Sequence, residues 1–220
     1  MRNHFPVIIN NRDRLEAPKA MVEALLWRNT EQIWIYDNAS TYEPLLEWYD
    51  EIKGDVNVVR GHNAGYLALF NTGLIDRIPG EWLCYTDPDI ELNPNMPHNY
   101  QEQMLAVAQE FKIDKVGLAL RVDDLPDHYP YKKTVLRNED RHWHKEVGPN
   151  LFEAHTDTTF HLTKRVDQFE SIRIAGDFTC KHLPWYYDPA NMPPDEQYYI
   201  DNYDNWAVTH WTRHVKYGGQ

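Results

Sequence analysis

The chain has 220 residues, 42% of them hydrophobic and 25% charged, the balance of an ordinary globular protein rather than a disordered or fibrous one. Its formal net charge of −12 opposes binding along a nucleic-acid backbone, so nucleic acid is not an expected partner. No apolar run approaches the roughly 20 residues of a membrane span, two cysteines give no disulfide framework, and the few residues before the first predicted strand leave no room for a signal peptide; the cytoplasm is the expected compartment.

In chain order, residues 5–10 (FPVIIN) form a short β-branched run and predict a strand. Pro18 suits a first helical turn, and Met21, Val22, Leu25 and Leu26 then make a helical stripe. Residues 32–37 (QIWIYD) predict a second strand, and Ser40 or Thr41 can cap the helix that follows, with Pro44 in its first turn. A third strand at 56–60, a helix at 65–76, a fourth strand at 81–87, a helix at 98–111 and a fifth strand at 115–121 continue the alternation. Strand–helix repetition of this kind predicts an α/β fold, a mostly parallel central sheet flanked by helices. Ligands of such sheets bind at the carboxyl ends of the strands.

Beyond Arg121 the pattern loosens. The stretches VDDLPDHYPYKK and NEDRHWHKEVGPN read as polar loops, AHTDTTFHLTK and SIRIAGDF as further strands, and a Pro-rich stretch leads to a short helix near 195–203. One domain over residues 1–190 is expected, with a smaller mixed β and loop region in its second half (93–190) and an aromatic-rich tail from 191 to 220 that includes Trp206 and Trp211.

Each of the first four strands releases polar residues at the same predicted edge: Asn10, Asn11 and Arg12; Asp37 and Asn38; Asn63 and Gly65; and Asp87 and Asp89 in CYTDPDIELNP. Turn chemistry explains Asn, Asp and Gly at such places, but a turn or cap needs one carboxylate, not two. Two unit charges about 4 Å apart repel by about 4 kcal/mol at an effective dielectric near 20. A divalent cation relieves that repulsion, and carboxylates suit Mg²⁺ or Mn²⁺, with ligand phosphates completing the shell. The pair therefore reads as a metal holder for a phosphate-bearing ligand. Neither GxxxxGK[ST] nor GxGxxG after the first strand is present, which leaves P-loop and dinucleotide-binding folds unsupported.

The segments FPVIINNRDR, IWIYDNAST, HNAGYLALFNTG and EWLCYTDPDIEL, over residues 5–92, resemble in order and spacing the family 2-like nucleotide-sugar-dependent glycosyltransferases of the GT-A (Rossmann-like) fold. The resemblance implies a donor-binding half at 1–92 and an acceptor-side half at 93–190. Asn10, Asn11 and Arg12 would line the nucleotide pocket, Asp37 would hydrogen-bond the base, and Asn63 and Gly65 would lie against the nucleotide or diphosphate. Asp87 would face the ribose or donor sugar at the metal, and Asp89 would ligate Mn²⁺ or Mg²⁺. His182 is a candidate third metal or diphosphate ligand, and Asp157 the candidate catalytic carboxylate on the acceptor side. Glu139-Asp140, the nearest thing to the family's Glu-Asp pair, lies in a loop-like segment. Trp185 and Tyr186 would shape the acceptor site or pack. The implied activity is hexosyl transfer from a nucleoside diphosphate sugar, UDP-sugars favoured, to a carbohydrate or other hydroxyl acceptor, with the stereochemical outcome and oligomeric state open. A metal-dependent hydrolase built on His142, His144 and His155, a nucleotidyltransferase, and a non-catalytic sugar-binding protein are the alternatives.

Overall fold

The computed structural model describes residues 3–165 and 170–203; Trp206 and Trp211 lie outside them. Strands β1 (Val7–Asn11), β2 (Ile33–Asn38), β3 (Asn57–Gly61) and β4 (Leu83–Thr86) alternate with helices α1 (Glu16–Trp27), α2 (Glu43–Glu51), α3 (Ala68–Asn71) and α4 (Leu74–Arg77). Then come β5 (Ile90–Leu92), α5 (Tyr100–Phe111), β6 (Lys115–Leu118), α6 (Lys132–Asp140), β7 (Glu146–Gly148), β8 (Leu151–Glu153), β9 (His161–Thr163), β10 (Ile172–Ile174), β11 (Cys180–His182) and α7 (Pro194–Asn202). Among the described residues these make a nine-stranded sheet, in the order β3-β2-β1-β4-β9-β6-β10-β8-β7, and a two-stranded sheet of β5 and β11. Strands β9 and β8 run against the rest, so the central sheet is mostly parallel, with mixed pairing concentrated in its second half.

Both faces of the sheet are covered, which is why its inner strands are continuously apolar rather than alternating. Along β1 the side chains point to opposite sides in turn. Val7 and Ile9 join the larger core with Leu25 of α1, Leu45 of α2 and Met104 of α5, whereas Ile8 joins Leu69, Leu74 and Tyr85 on the other face. Cys84 and Cys180 are free thiols buried in the larger core, and burial pushes both above the ordinary thiol range. Among the described residues no helix is long and apolar enough to cross a membrane.

Several local expectations are corrected. Neither Ser40 nor Thr41 caps α2; the carboxylate of Asp13 accepts from the amides of Thr41 (2.6 Å) and Tyr42 (3.0 Å) instead. The single helix expected at 65–76 is three pieces, a 3₁₀ turn at Gly65–Leu67 and α3 and α4, because Gly73 adopts φ +69°, a left-handed conformation that ends a helix. Between 123 and 150 lies α6, not only loop: Val135 alone of its residues is fully buried, too thin an apolar stripe to announce a helix. The segment 154–164 is extended only at β9, and its first half is a loop.

Candidate functional site

The carboxyl ends of β1, β2 and β3 are tied together by side-chain amides. Asn38 Nδ2 donates to Asn10 Oδ1 (2.7 Å), Asn10 Nδ2 to the Gly65 carbonyl (3.1 Å), and the Ala64 amide to Asn38 Oδ1 (3.0 Å). Asn10, Asn11, Arg12 and Asn63 line a cavity of about 650 Å³ at this edge. Asp37 and Gly65 do not line it. In register with Asn11 on one side and Arg60 on the other, Asp37 is fully buried. Its carboxylate accepts from the Ser40 amide (3.2 Å) and the Tyr49 hydroxyl (3.3 Å) and faces Arg60 Nε at 3.6 Å. Burial raises its pKa against the pull of those partners.

The fourth strand behaves differently. After Thr86 the chain leaves the large sheet, turns through Asp87-Pro88-Asp89 and enters the small sheet as β5, where Ile90 pairs with His182 of β11. Asp87 is held from both ends by Thr158: its amide donates to the Thr158 carbonyl (2.9 Å) and its Oδ2 accepts from Thr158 Oγ1 (2.5 Å). Burial, then the neighbouring Asp89, push the Asp87 carboxyl well above the usual carboxylate range. Asp89 Oδ2 faces Arg14 Nη2 (3.5 Å) and His182 Nε2 (3.6 Å), while its Oδ1 and the His182 Nδ1 are buried with no hydrogen-bond partner. Thus the two aspartates and His182, far apart in the chain, share one wall of the cavity.

Buried polar atoms are nearly always satisfied, so two orphans on side chains that face each other at 3.6 Å through their other polar atoms point to a missing ligand. A divalent cation fits: one carboxylate oxygen and an imidazole are suitable donors for Mn²⁺ or Mg²⁺, and the crowded Asp87 carboxyl is the charge a cation would neutralise. Among the described residues no three His, Cys, Asp or Glu side chains form a ready-made metal cluster. The remaining positions would have to come from the bound ligand and water, the usual arrangement for Mg²⁺.

Asp157, in the loop before β9, lines the same cavity. Because β9 inserts antiparallel between β4 and β6, this loop is carried to the same edge as Asp87. Asp157 Oδ1 accepts from the Thr159 amide (2.9 Å) and hydroxyl (2.7 Å). Burial alone would raise its pKa, but those two bonds, with Arg173 and His182, hold it below the ordinary value. Lys115, buried at the start of β6, supports the loop from beneath by donating to the carbonyls of Thr156 (2.6 Å) and Asp157 (3.2 Å).

Further residues of the lining were not singled out as site residues by the sequence reading. Arg14 makes a bidentate pair with Glu196 of α7 (2.5 and 2.9 Å) and lies over the Tyr199 ring at 3.8 Å. Arg173 donates to Glu139 (2.8 Å) and to the His155 carbonyl (2.8 Å). Glu139 therefore closes a helix and faces the cavity, rather than sitting in a loop, and burial raises its carboxyl above the ordinary value. Arg173 had one signal, a charge inside the otherwise apolar strand segment SIRIA; the Arg14–Glu196 pair, 182 residues apart, had none. Trp185 is on the wall, whereas the Tyr186 hydroxyl is turned to Asp124 (2.7 Å) and the Arg121 carbonyl (3.1 Å). The His-x-His pair is split: His142 lines the cavity, and His144 pairs with Asp140 at 3.0 Å on the surface.

No protein-family model matches the chain. Over 125 residues, 54% of this chain, it is 30% identical to the uncharacterized protein y4gI of Sinorhizobium fredii (strain NBRC 101917 / NGR234), and the match spans 13% of that protein's length. Among solved structures it is similar to the mannosyltransferase PcManGT from Pyrobaculum calidifontis in complex with GDP-Man and Mn²⁺, at 16% identity and a TM-score of 0.49, covering 100% of this chain and 71% of that one. At that distance the functional reading rests on the chain's own residues.

Proposed function

We propose that the chain is a metal-assisted glycosyltransferase, moving a sugar from a nucleoside diphosphate donor to a carbohydrate hydroxyl. The observation that carries this reading is the pair of orphaned buried atoms, Asp89 Oδ1 and His182 Nδ1, in a cavity also lined by Asp157, a carboxylate held below its ordinary pKa. Asp89 and His182 would hold Mn²⁺ or Mg²⁺, with Asp87 beside them. When bound, that ion supplies charge stabilisation for the departing diphosphate.

The protein's own groups do the remainder. The Asn10–Asn38–Ala64 network fixes the strand ends against which the nucleotide would lie. Arg14, held charged by Glu196 and Asp89 against the effect of burial, adds a fixed positive group near the diphosphate. Asp157, held below its ordinary pKa by the bonds from Thr159 and in a loop supported by Lys115, would take the acceptor's proton, a contribution of about 10²–10⁴-fold.

The test is thermal shift with UDP- and GDP-sugars, with and without Mn²⁺, followed by release of free nucleotide. The wild type should respond only with metal, Asp89→Asn should lose most of the response, and Asp157→Asn should lower turnover at least 100-fold while donor binding persists. A metal-independent response, or full activity in Asp89→Asn, defeats the proposed site; unchanged turnover in Asp157→Asn removes its catalytic role.

A further inference from the structure

Beyond Asp157 the cavity wall changes sign. Arg141 and His142 sit on the 3₁₀ turn that follows α6, and His155 and Arg173 face the same region. Arg141 is exposed at the rim and makes no ion pair among the described residues; its one side-chain bond runs from Nε to His142 Nε2, at 3.4 Å. Behind it Arg173 is almost fully buried, with Glu139 as its carboxylate partner. In a chain with a formal charge of −12, Arg141 is thus, among the described residues, a guanidinium without a carboxylate partner at the mouth of a cavity. Tyr129 and Tyr131, packed edge to face at 6.2 Å, line the adjoining wall and offer aromatic surface to a sugar ring.

We propose that Arg141, with His142 and His155, binds an anionic group on the sugar acceptor, a carboxylate or a phosphate ester. This rests on the glycosyltransferase reading for the word acceptor, though not for the anion site itself. A guanidinium presents parallel N–H donors that match either oxyanion. His142, held down to about 4 by burial and then by Arg173, Arg141 and His155, is neutral at physiological pH in the free protein and reports the same positive surroundings. Selection by charge would also keep neutral sugars, abundant competitors, from consuming the donor.

The experiment compares binding of glucose, glucuronate and glucose 6-phosphate by saturation-transfer NMR, and then transfer from the active nucleotide sugar to methyl glycosides of the same three kinds. At least tenfold tighter binding of one or both acids over glucose is expected, and the difference between glucuronate and glucose 6-phosphate says which oxyanion the site takes. Arg141→Gln should raise the KM for the acidic acceptor at least tenfold with a donor KM shifted less than twofold, and Arg141→Lys should recover part of the loss. Equal binding of glucose and both acids overturns the proposal, and so does an Arg141→Gln defect confined to the donor KM. Charge-dependent sugar binding without any donor turnover would defeat the glycosyltransferase reading and leave the anion site standing; turnover without preference for acids would do the reverse.

Discussion

At the scale of single residues, the fold keeps several polar groups in states that water would not favour, and each has a consequence. His161 of β9 is buried with Nδ1 2.8 Å from the Thr159 carbonyl, and burial, then the charge of Lys115, hold its pKa down to about 3. A histidine kept neutral by the fold contributes fully above its unfolded pKa near 6.5 and loses that contribution as pH falls from there towards 3, at up to about 1.4 kcal/mol per pH unit. His161→Gln should therefore unfold more easily at pH 7.5 yet show a shallower decline between pH 6.5 and 4, measured by urea unfolding at each pH; parallel declines would contradict the assignment. Arg28 gives a second case. Buried at the end of α1, it donates to the carbonyls of Ala24, Asn93, Pro94 and Met96, and so fixes the turn that follows β5.

Elements are placed by contacts that no single segment announces. The first amides of α1 have no side-chain cap of their own; Asp195 of α7 supplies it, its Oδ2 accepting from Leu15 N (2.7 Å) and Glu16 N (2.9 Å). Asp195→Ala should cost about 1–2 kcal/mol, as a lost helix cap does, and lower Tm by about 3–6 °C in a domain of this size. An unchanged Tm would mean that α7 does not hold α1. The loop that carries Asp157 is seated in a comparable way. A Cβ on Gly117 of β6 would come within 2.4 Å of the Thr156 side chain, one residue before Asp157. Gly117→Ala should displace that loop and lower kcat at least tenfold with donor affinity nearly intact; equal loss of both would point to general unfolding instead.

At the scale of the whole molecule, the first and second halves of the described chain are one body, because β9 from the second half pairs with β4 of the first as well as with β6. Pulling them apart would bare the edge of β4 and strip Asp87 of Thr158. Unfolding should accordingly be a single transition, with tryptophan fluorescence and far-UV circular dichroism coincident along a urea titration; two resolved transitions would separate the halves. The cavity is accordingly a property of this one body, lined by segments far apart in the chain.

The first half of the fold was legible in the sequence because it is locally encoded: β1 to β4 are short apolar runs at even spacing, and Asn10, Asn38, Asn63, Asp87 and Asp89 fall at their ends. Those positions follow from the alternation of elements alone. What the chain could not state by itself is which strand end faces the cavity: Asp37 ends its strand as Asp87 does, yet is sealed between Asn11 and Arg60. Nor could it state that Arg14 meets Glu196, that Arg173 meets Glu139, or that β9 runs antiparallel and brings the Asp157 loop to the edge where Asp87 lies. Pairing order and the partners of buried charges depend on long-range packing, and a short strand such as HLT fits many neighbours equally well until the rest of the sheet is built.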